Sequence, residues 1–66
     1  MVSYKKLWKL LIDRNMNKKD LIEKTGISTS SMAKLTKGAN VTTDVLCKIC
    51  NYLNCDFGDI MEYIPE

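Results

Sequence analysis

We predict from the sequence an all-α domain of five helices, in which the second and third form a helix-turn-helix. Apolar residues recur at helical spacing through most of the chain, which is the pattern of helices with one buried face. Polar residues typical of helix starts, and glycine or asparagine residues typical of helix ends, divide this pattern at short intervals. No segment alternates apolar and polar residues between hairpin turns, so we expect no sheet.

The first predicted helix rests on the spacing of its apolar side chains. Leu7, Trp8 and Leu11 follow Tyr4 at the i+3, i+4 and i+7 positions, which places all of them on one helical face. Asn15 tolerates the left-handed conformation that ends many helices. This helix should therefore begin near Tyr4 and end just before Asn15.

The later helix starts share one arrangement, a polar N-cap preceded by an apolar residue that can pack against the fourth residue of the helix. The caps with their apolar pairs are Asn17 with Met16 and Leu21, Ser28 with Ile27 and Met32, Thr42 with Val41 and Leu46, and Asp56 with Cys55 and Ile60. Asp20 and Asp59 add short capping boxes, and Gly26, Gly38 and Asn54 supply the helix ends. The predicted helices cover residues 4–14, 18–25, 29–37, 43–53 and 57–63.

Length and charge limit what the chain can be. Its 66 residues suffice for one small core, so we expect a single domain over residues 1–66. Residues 1–38, the basic half, carry nine Lys and Arg against three Asp and Glu, a balance of +6. Residues 39–66, the acidic half, carry one against five, a balance of −4. A positive face attracts polyanions such as nucleic acid, although charge alone is equally consistent with an uneven solvated surface.

The sequence has the features of a cytoplasmic protein. Apolar runs such as Leu10–Ile12 are far shorter than the roughly 18 residues of a membrane span, and the first residues lack the pattern of a secretory signal. Cys47, Cys50 and Cys55 form an odd set without the spacing of a disulfide scaffold, so we expect free thiols in a reducing compartment.

The second and third predicted helices are joined only by Gly26–Ser28, which is short enough to force the steep crossing of a helix-turn-helix. In that motif the second helix enters the major groove of DNA. Met32 and Leu35 should point inward. The opposite side should read base edges, and its small or cationic side chains are Thr29, Ser30, Ala33 and Lys34.

Donors for phosphate oxygens flank this reading helix. They are Asn17, Lys18 and Lys19 at the start of the second helix, and Lys37 and Asn40 after the third. Taken singly, the serines and threonines at a helix start can be caps, and each lysine can be a solvated surface charge. Their grouping around one helix favours a DNA-binding surface.

The segments Met16–Ser28, Met32–Gly38 and Leu46–Cys55 resemble the Cro/CI-type helix-turn-helix family, also called the XRE family. The segment Cys50–Ile60 is similar to small stand-alone regulators of this family, of the VanU type. The resemblance implies a five-helix lambda-repressor-like domain that acts as a transcriptional regulator, usually a repressor. It also implies a symmetric dimer on double-stranded operator DNA with an inverted repeat. In that complex Thr29, Ser30 and Lys34 would lie at base edges, and the phosphate contacts would come from Asn17, Lys18, Lys37 and Asn40.

The sequence departs from the family pattern at three positions. Many members have glutamine where this chain has Thr29, and threonine cannot make the two-pronged amide contact to adenine. Many also pair an arginine with a glutamate where this chain has Leu11 and Thr36. Because both charges are replaced, neither is left buried without a partner, and the fold can be retained.

Other classes of function have less support from the residues. Cys47, Cys50 and Cys55 with Asp56 could ligate a metal, but core packing of the thiols is the favoured account, and we expect no metal or other cofactor. With no histidine and no glycine-rich phosphate loop, we expect no catalytic site and no small-molecule substrate.

A protein-interaction module remains the main alternative. The same fold could bind another regulator or an RNA-polymerase subunit. An exposed apolar patch would favour it, and the candidate residues are Trp8, Tyr52, Phe57, Met61, Tyr63 and Ile64. Such residues could also form the contact of a weak homodimer.

Overall fold

The computed structural model describes residues 1–65, and these form a small domain with Cα extents of 33 × 24 × 17 Å. Its α-helices are α1 (Lys5–Asp13), α2 (Lys18–Thr25), α3 (Thr29–Lys37) and α4 (Thr43–Leu53). A 3-10 turn follows at Phe57–Asp59, and two short strands, β1 (Val2–Ser3) and β2 (Glu62–Tyr63), join the two ends of the chain. The bounds of α2, α3 and α4 coincide with the predicted ones.

The predicted fifth helix over residues 57–63 is wrong, and the domain has four α-helices within residues 1–65. The segment makes a single 3-10 turn and then becomes extended. Gly58 weakens any helix through this point, because glycine loses the most backbone freedom on folding. The capping box at Asp56 and Asp59 marks where a turn begins but does not determine how far it continues.

The expectation that no sheet would form is also wrong. β1 and β2 pair antiparallel with Val2 opposite Tyr63 and Ser3 opposite Glu62. The pairing continues past the strands, since the amide N of Ile64 donates to the carbonyl O of Met1 at 2.8 Å and the N-terminal amine donates back at 3.0 Å. Two-residue strands are too short to show a readable alternation in the sequence.

The predicted helix caps are confirmed. The Asn17 side chain accepts from the amide N of Asp20 at 2.8 Å, and the Asp20 carboxylate accepts from the amide N of Asn17 at 3.0 Å. The Ser28 and Thr42 hydroxyls accept from backbone N–H groups three residues on. Gly26, Gly38 and Asn54 adopt the left-handed conformation, with φ of 73°, 73° and 54°. The ends of α2, α3 and α4 are thus determined by residues within a few positions in sequence.

One apolar core holds the elements together. Its buried side chains are Tyr4, Leu7, Leu11, Leu21, Ile27, Met32, Leu35, Leu46, Ile49, Leu53 and Ile60. Helix α2 packs against both α3 and α4, and the 3-10 turn packs against α1 and α4. The core includes the fourth residue of every predicted helix that begins with a polar cap, namely Leu21, Met32, Leu46 and Ile60. No polar side chain of residues 1–65 is buried. None of the described helices has the length and apolar character needed to traverse a bilayer.

The cysteines divide into two groups. Cys50 and Cys55 are half-buried and pack against the core, as expected for small apolar side chains. Cys47 is exposed, so the expectation that it packs in the core with Cys50 is wrong. The helical period explains the error, because α4 already buries Leu46 and Ile49 and the side chain between them turns outward.

Candidate nucleic-acid interface

The turn between α2 and α3 is held by its own backbone and by one hydroxyl. Gly26 has a φ of 73°, and its amide N donates to the carbonyl O of Ile22 at 2.9 Å. The Thr25 hydroxyl donates to the carbonyl O of Leu21 at 2.6 Å and accepts from the amide N of Ile27 at 3.4 Å. Ile27 is buried, so the turn is anchored in the core just before α3 begins. This arrangement is the helix-turn-helix.

Helix α3 separates its buried side from its exposed side as the sequence predicts. Met32 and Leu35 are buried at 6% and 1% exposure. The predicted base-reading residues Thr29, Ser30, Ala33 and Lys34 are all exposed. Within residues 1–65 the Lys34 ammonium has no ion-pair partner. The structure thus brings these four side chains together on the solvent side of one helix.

A hydroxyl network organises the first turn of α3. Ser28 Oγ accepts from the amide N of Ser31 at 3.1 Å and donates to Ser31 Oγ at 3.0 Å. Ser30 Oγ lies 3.0 Å from the same Ser28 Oγ. A serine hydroxyl has one proton, so with the Ser28 proton directed at Ser31 the donor in the second contact is Ser30. Because its proton is used in that bond, Ser30 Oγ can only accept a further hydrogen bond, and it faces solvent.

The start of α2 presents the first group of predicted phosphate donors, all exposed. Asn17 uses its side-chain oxygen as the cap, which leaves its amide Nδ2 as a donor. Lys19 is exposed. Lys18 is held in place, since its Nζ lies 4.3 Å from the centroid of the Trp8 ring and donates to Thr36 Oγ1 at 3.1 Å. The sequence did not indicate that Lys18 contacts both α1 and α3.

The second group is Lys37, the last residue of α3, and Asn40, in the segment after the helix, and both are exposed. This segment is tied to the body of the domain by Tyr4, whose hydroxyl donates to the carbonyl O of Ala39 at 3.3 Å. Burial raises the pKa of Tyr4, so the phenol stays protonated and remains a donor. Asn40 therefore follows a tethered backbone.

Sequence reasoning missed Lys5, Trp8 and Thr36 as candidates for this surface. Lys5, Trp8, Thr36 and Lys37 line a groove of about 330 Å³ between the chain start and the end of α3. Trp8 also lines a second cleft beside Asn17 and Lys18. Contacts between residues so far apart in sequence have no local signal. The only sequence signal for this groove was that Lys5 lies one helical turn before Trp8.

The cysteines offer no comparable arrangement. Burial and then the neighbouring Cys55 raise the pKa of the Cys50 thiol to about 11, which keeps it protonated and a poor nucleophile. No group of three or more His, Cys, Asp or Glu side chains within residues 1–65 is placed to hold a metal ion. The exposed cations and hydroxyls around α3 thus form the strongest candidate site among the described residues.

Comparison with known proteins agrees with this geometry. A family model described as a Cro/C1-type helix-turn-helix DNA-binding domain matches residues 6–66. The crystal structure of the transcriptional regulator VanUg, in its form II, superposes with a TM-score of 0.94 at 63% sequence identity. The match covers 98% of this chain and 87% of that one. No curated protein matches this chain.

Proposed function

Because this chain belongs to the Cro/C1-type helix-turn-helix DNA-binding domain family, we propose that it reads double-stranded DNA in the major groove with α3 and so regulates transcription. The observation that carries the proposal is the exposed side of α3, where Thr29, Ser30, Ala33 and Lys34 stand together with no acidic residue in the helix. Small side chains allow the helix backbone to approach the base edges closely.

The base-reading residues make three kinds of contact in this proposal. Lys34 donates to O6 and N7 of guanine, and the methyl groups of Thr29 and Ala33 contact a thymine methyl. Ser30 accepts from an amino group of adenine or cytosine, because its own proton is engaged with Ser28. The operator should therefore contain a guanine and an amino-bearing base at neighbouring positions.

Phosphate contacts fix the position of the helix without reading sequence. We assign these to the exposed donors on either side of α3, namely Asn17, Lys18, Lys19, Lys37 and Asn40. The capped N-terminus of α2 adds backbone N–H groups and the positive end of the helix dipole. Each lysine that neutralises a phosphate contributes about 0.9 to the slope of log affinity against log salt.

Two copies would bind an inverted repeat, with their α3 helices in successive major grooves about 34 Å apart. The acidic half supplies the exposed aromatic side chains that a symmetric contact needs, Tyr52, Phe57 and Tyr63 at 42%, 39% and 71% exposure. This half is net negative, so the contact should be weak and should strengthen as salt screens the repulsion. A bound dimer would repress transcription by occupying the operator.

The direct test is selection of bound sequences from a random duplex library, followed by fluorescence anisotropy titration of the selected duplex over a range of salt concentrations. We expect an inverted repeat and a steep salt dependence. Lys37→Ala should flatten the slope by about 0.9, whereas Lys48→Ala, which removes a lysine already paired with Asp44 on α4, should leave it unchanged. If no sequence is enriched and bulk DNA is not bound, the proposal is wrong.

A second candidate function is binding to a protein, such as another regulator or an RNA-polymerase subunit. The exposure of Tyr52, Phe57 and Tyr63 favours it, because aromatic side chains are enriched in protein interfaces. Two results together would assign the function to DNA binding. Substitution of α3 residues would abolish DNA binding, and Tyr63→Ser would leave the affinity for a single half-site unchanged.

A further inference from the structure

The side chains of Trp8, Lys18 and Thr36 make contacts that neither capping nor core packing requires. Lys18 Nζ lies 4.3 Å from the Trp8 ring centroid and 3.1 Å from Thr36 Oγ1. The Thr36 hydroxyl in turn donates to the carbonyl O of Met32 at 3.0 Å, so it accepts from the lysine and gives its own proton to the helix. One ammonium thus connects α1, the start of α2 and the end of α3.

We propose that Trp8 and Thr36 are positioning residues that hold the Lys18 ammonium at the DNA-binding surface before DNA arrives, an inference that rests on the proposed function. A free lysine side chain samples many rotamers and loses this freedom when it binds phosphate. A lysine already held against an aromatic face and a hydroxyl loses less, so the same phosphate contact contributes more to affinity.

The position of Trp8 supports this role. Its ring lines the cleft that contains Asn17 and Lys18, and it also lines the groove that contains Thr36 and Lys37. Trp8 therefore lies between the two groups of proposed phosphate donors. Both Lys18 and Thr36 are exposed, so the ammonium can still reach an anion in solvent while it rests on the ring.

The contact also links α3 to the rest of the domain by a route other than the turn. The Gly26–Ser28 connection holds the first residue of α3, whereas Lys18 reaches Thr36 near its last turn. A helix held near both ends keeps its direction in the groove. Loss of the contact should thus lower discrimination between sequences as well as affinity.

A double-mutant cycle tests the proposal, with duplex affinity measured by anisotropy for Trp8→Leu, Lys18→Met and the double variant. We expect Trp8→Leu to weaken binding about two- to fivefold, the range of an exposed cation–π contact, and to have almost no effect once Lys18→Met is present. Lys19→Met is the matched control, because Lys19 is the exposed neighbour and makes no contact with the ring. In that background Trp8→Leu should retain its full effect.

Equal losses from Trp8→Leu in the Lys18→Met and Lys19→Met backgrounds would overturn the proposal, because a purely structural role of Trp8 does not depend on Lys18. Thr36→Val, which keeps the shape of the side chain and removes its hydroxyl, provides a second cycle with Lys18→Met. Thr36→Val should weaken binding in the wild type and have almost no effect once Lys18→Met is present. Lys18→Arg should restore most of the affinity, because arginine also stacks on an aromatic face.

Trp8 is the only tryptophan, so its emission reports on the contact without DNA. The emission spectrum of Lys18→Met should differ from that of the wild type, while that of Lys19→Met should not. Superposable spectra for all three would show that the ammonium does not rest on the ring, which overturns the proposal. A wild-type chain that binds no DNA overturns the proposed function instead, and the spectra then still establish whether the contact exists.

Discussion

The basic half and the acidic half of the domain use their side chains differently. In the basic half, α2 and α3 are bounded by caps formed within a few residues, and their polar sides are free for a ligand. In the acidic half, α4 and the segment after it bury Leu46, Ile49, Leu53 and Ile60, and the chain end returns to pair with β1. The comparison indicates that the basic half presents most of the proposed DNA-binding surface, while the acidic half supplies the chain end that pairs with β1 and completes the shared core.

The largest expected effect removes a core side chain of the acidic half. Ile60 is fully buried, so Ile60→Ala should lower the free energy of unfolding by about 2–5 kcal/mol. Ile12 is 73% exposed on α1, and Ile12→Ala should change it by less than about 0.5 kcal/mol. Urea denaturation measures both. A similar loss in the two variants would mean that burial of Ile60 does not stabilise the fold.

The next effect belongs to the basic half and concerns binding. Lys34→Ala should weaken operator binding by about 1–3 kcal/mol and remove the preference at one base position, with little change in stability. Lys19→Ala should weaken binding to all duplexes alike. Anisotropy titrations against the selected operator and its single-base variants separate the two. If both substitutions act equally on every duplex, Lys34 does not read a base.

A smaller effect tests the turn of the helix-turn-helix. Gly26 has a φ of 73° and open space where a Cβ would stand, so Gly26→Ala meets backbone strain alone. We expect a loss of about 1–2 kcal/mol in the free energy of unfolding. Gly58, in the acidic half, also has open space but no positive φ, and Gly58→Ala should be nearly neutral. If Gly26→Ala leaves the thermal melting temperature unchanged, this position does not require the left-handed conformation that favours glycine.

The smallest effect concerns pH in the acidic half. The pKa of Cys50 is raised from 9.0 to about 11 in the folded chain, so the folded state keeps a proton that the unfolded state loses. The contribution of the Cys50 thiol to the free energy of unfolding is complete below about pH 9 and is lost as the pH rises toward 11. Under reducing conditions, Cys50→Ala should therefore show a smaller drop in the urea midpoint between about pH 8 and about pH 10. Cys47→Ala, at an exposed site, should keep most of the wild-type drop, because Cys47 is the smallest of the causes that raise the pKa of Cys50.

Most of the basic half could be predicted from the sequence because its determinants are local. The caps at Asn17 and Ser28 and the left-handed Gly26 and Gly38 lie within a few residues of the helix ends that they determine. The exposed side of α3 then follows from the helical period. The proposed base-reading and phosphate-binding roles remain predictions, since they depend on a bound duplex.

Most of the failures fall where distant residues meet. The end of the chain becomes extended because Glu62 and Tyr63 pair with Ser3 and Val2, and no local pattern indicates a partner so far away in sequence. The contact between Lys18 and Trp8 was missed for the same reason, as was the groove shared by Lys5 and Lys37. Local rules locate helix ends well, whereas pairings between distant segments follow from packing of the whole domain.

The ribbon between β1 and β2 also determines how the domain would respond to mechanical force. Its strands are antiparallel, and within residues 1–65 its outermost bonds join Met1 to Ile64. The backbone ends at Met1 and Ile64 therefore lie on the same side of the ribbon. Tension applied between those ends loads the bonds one after another, beginning at Met1, instead of loading them all at once. The ribbon should therefore unzip at low force, before the load reaches the core.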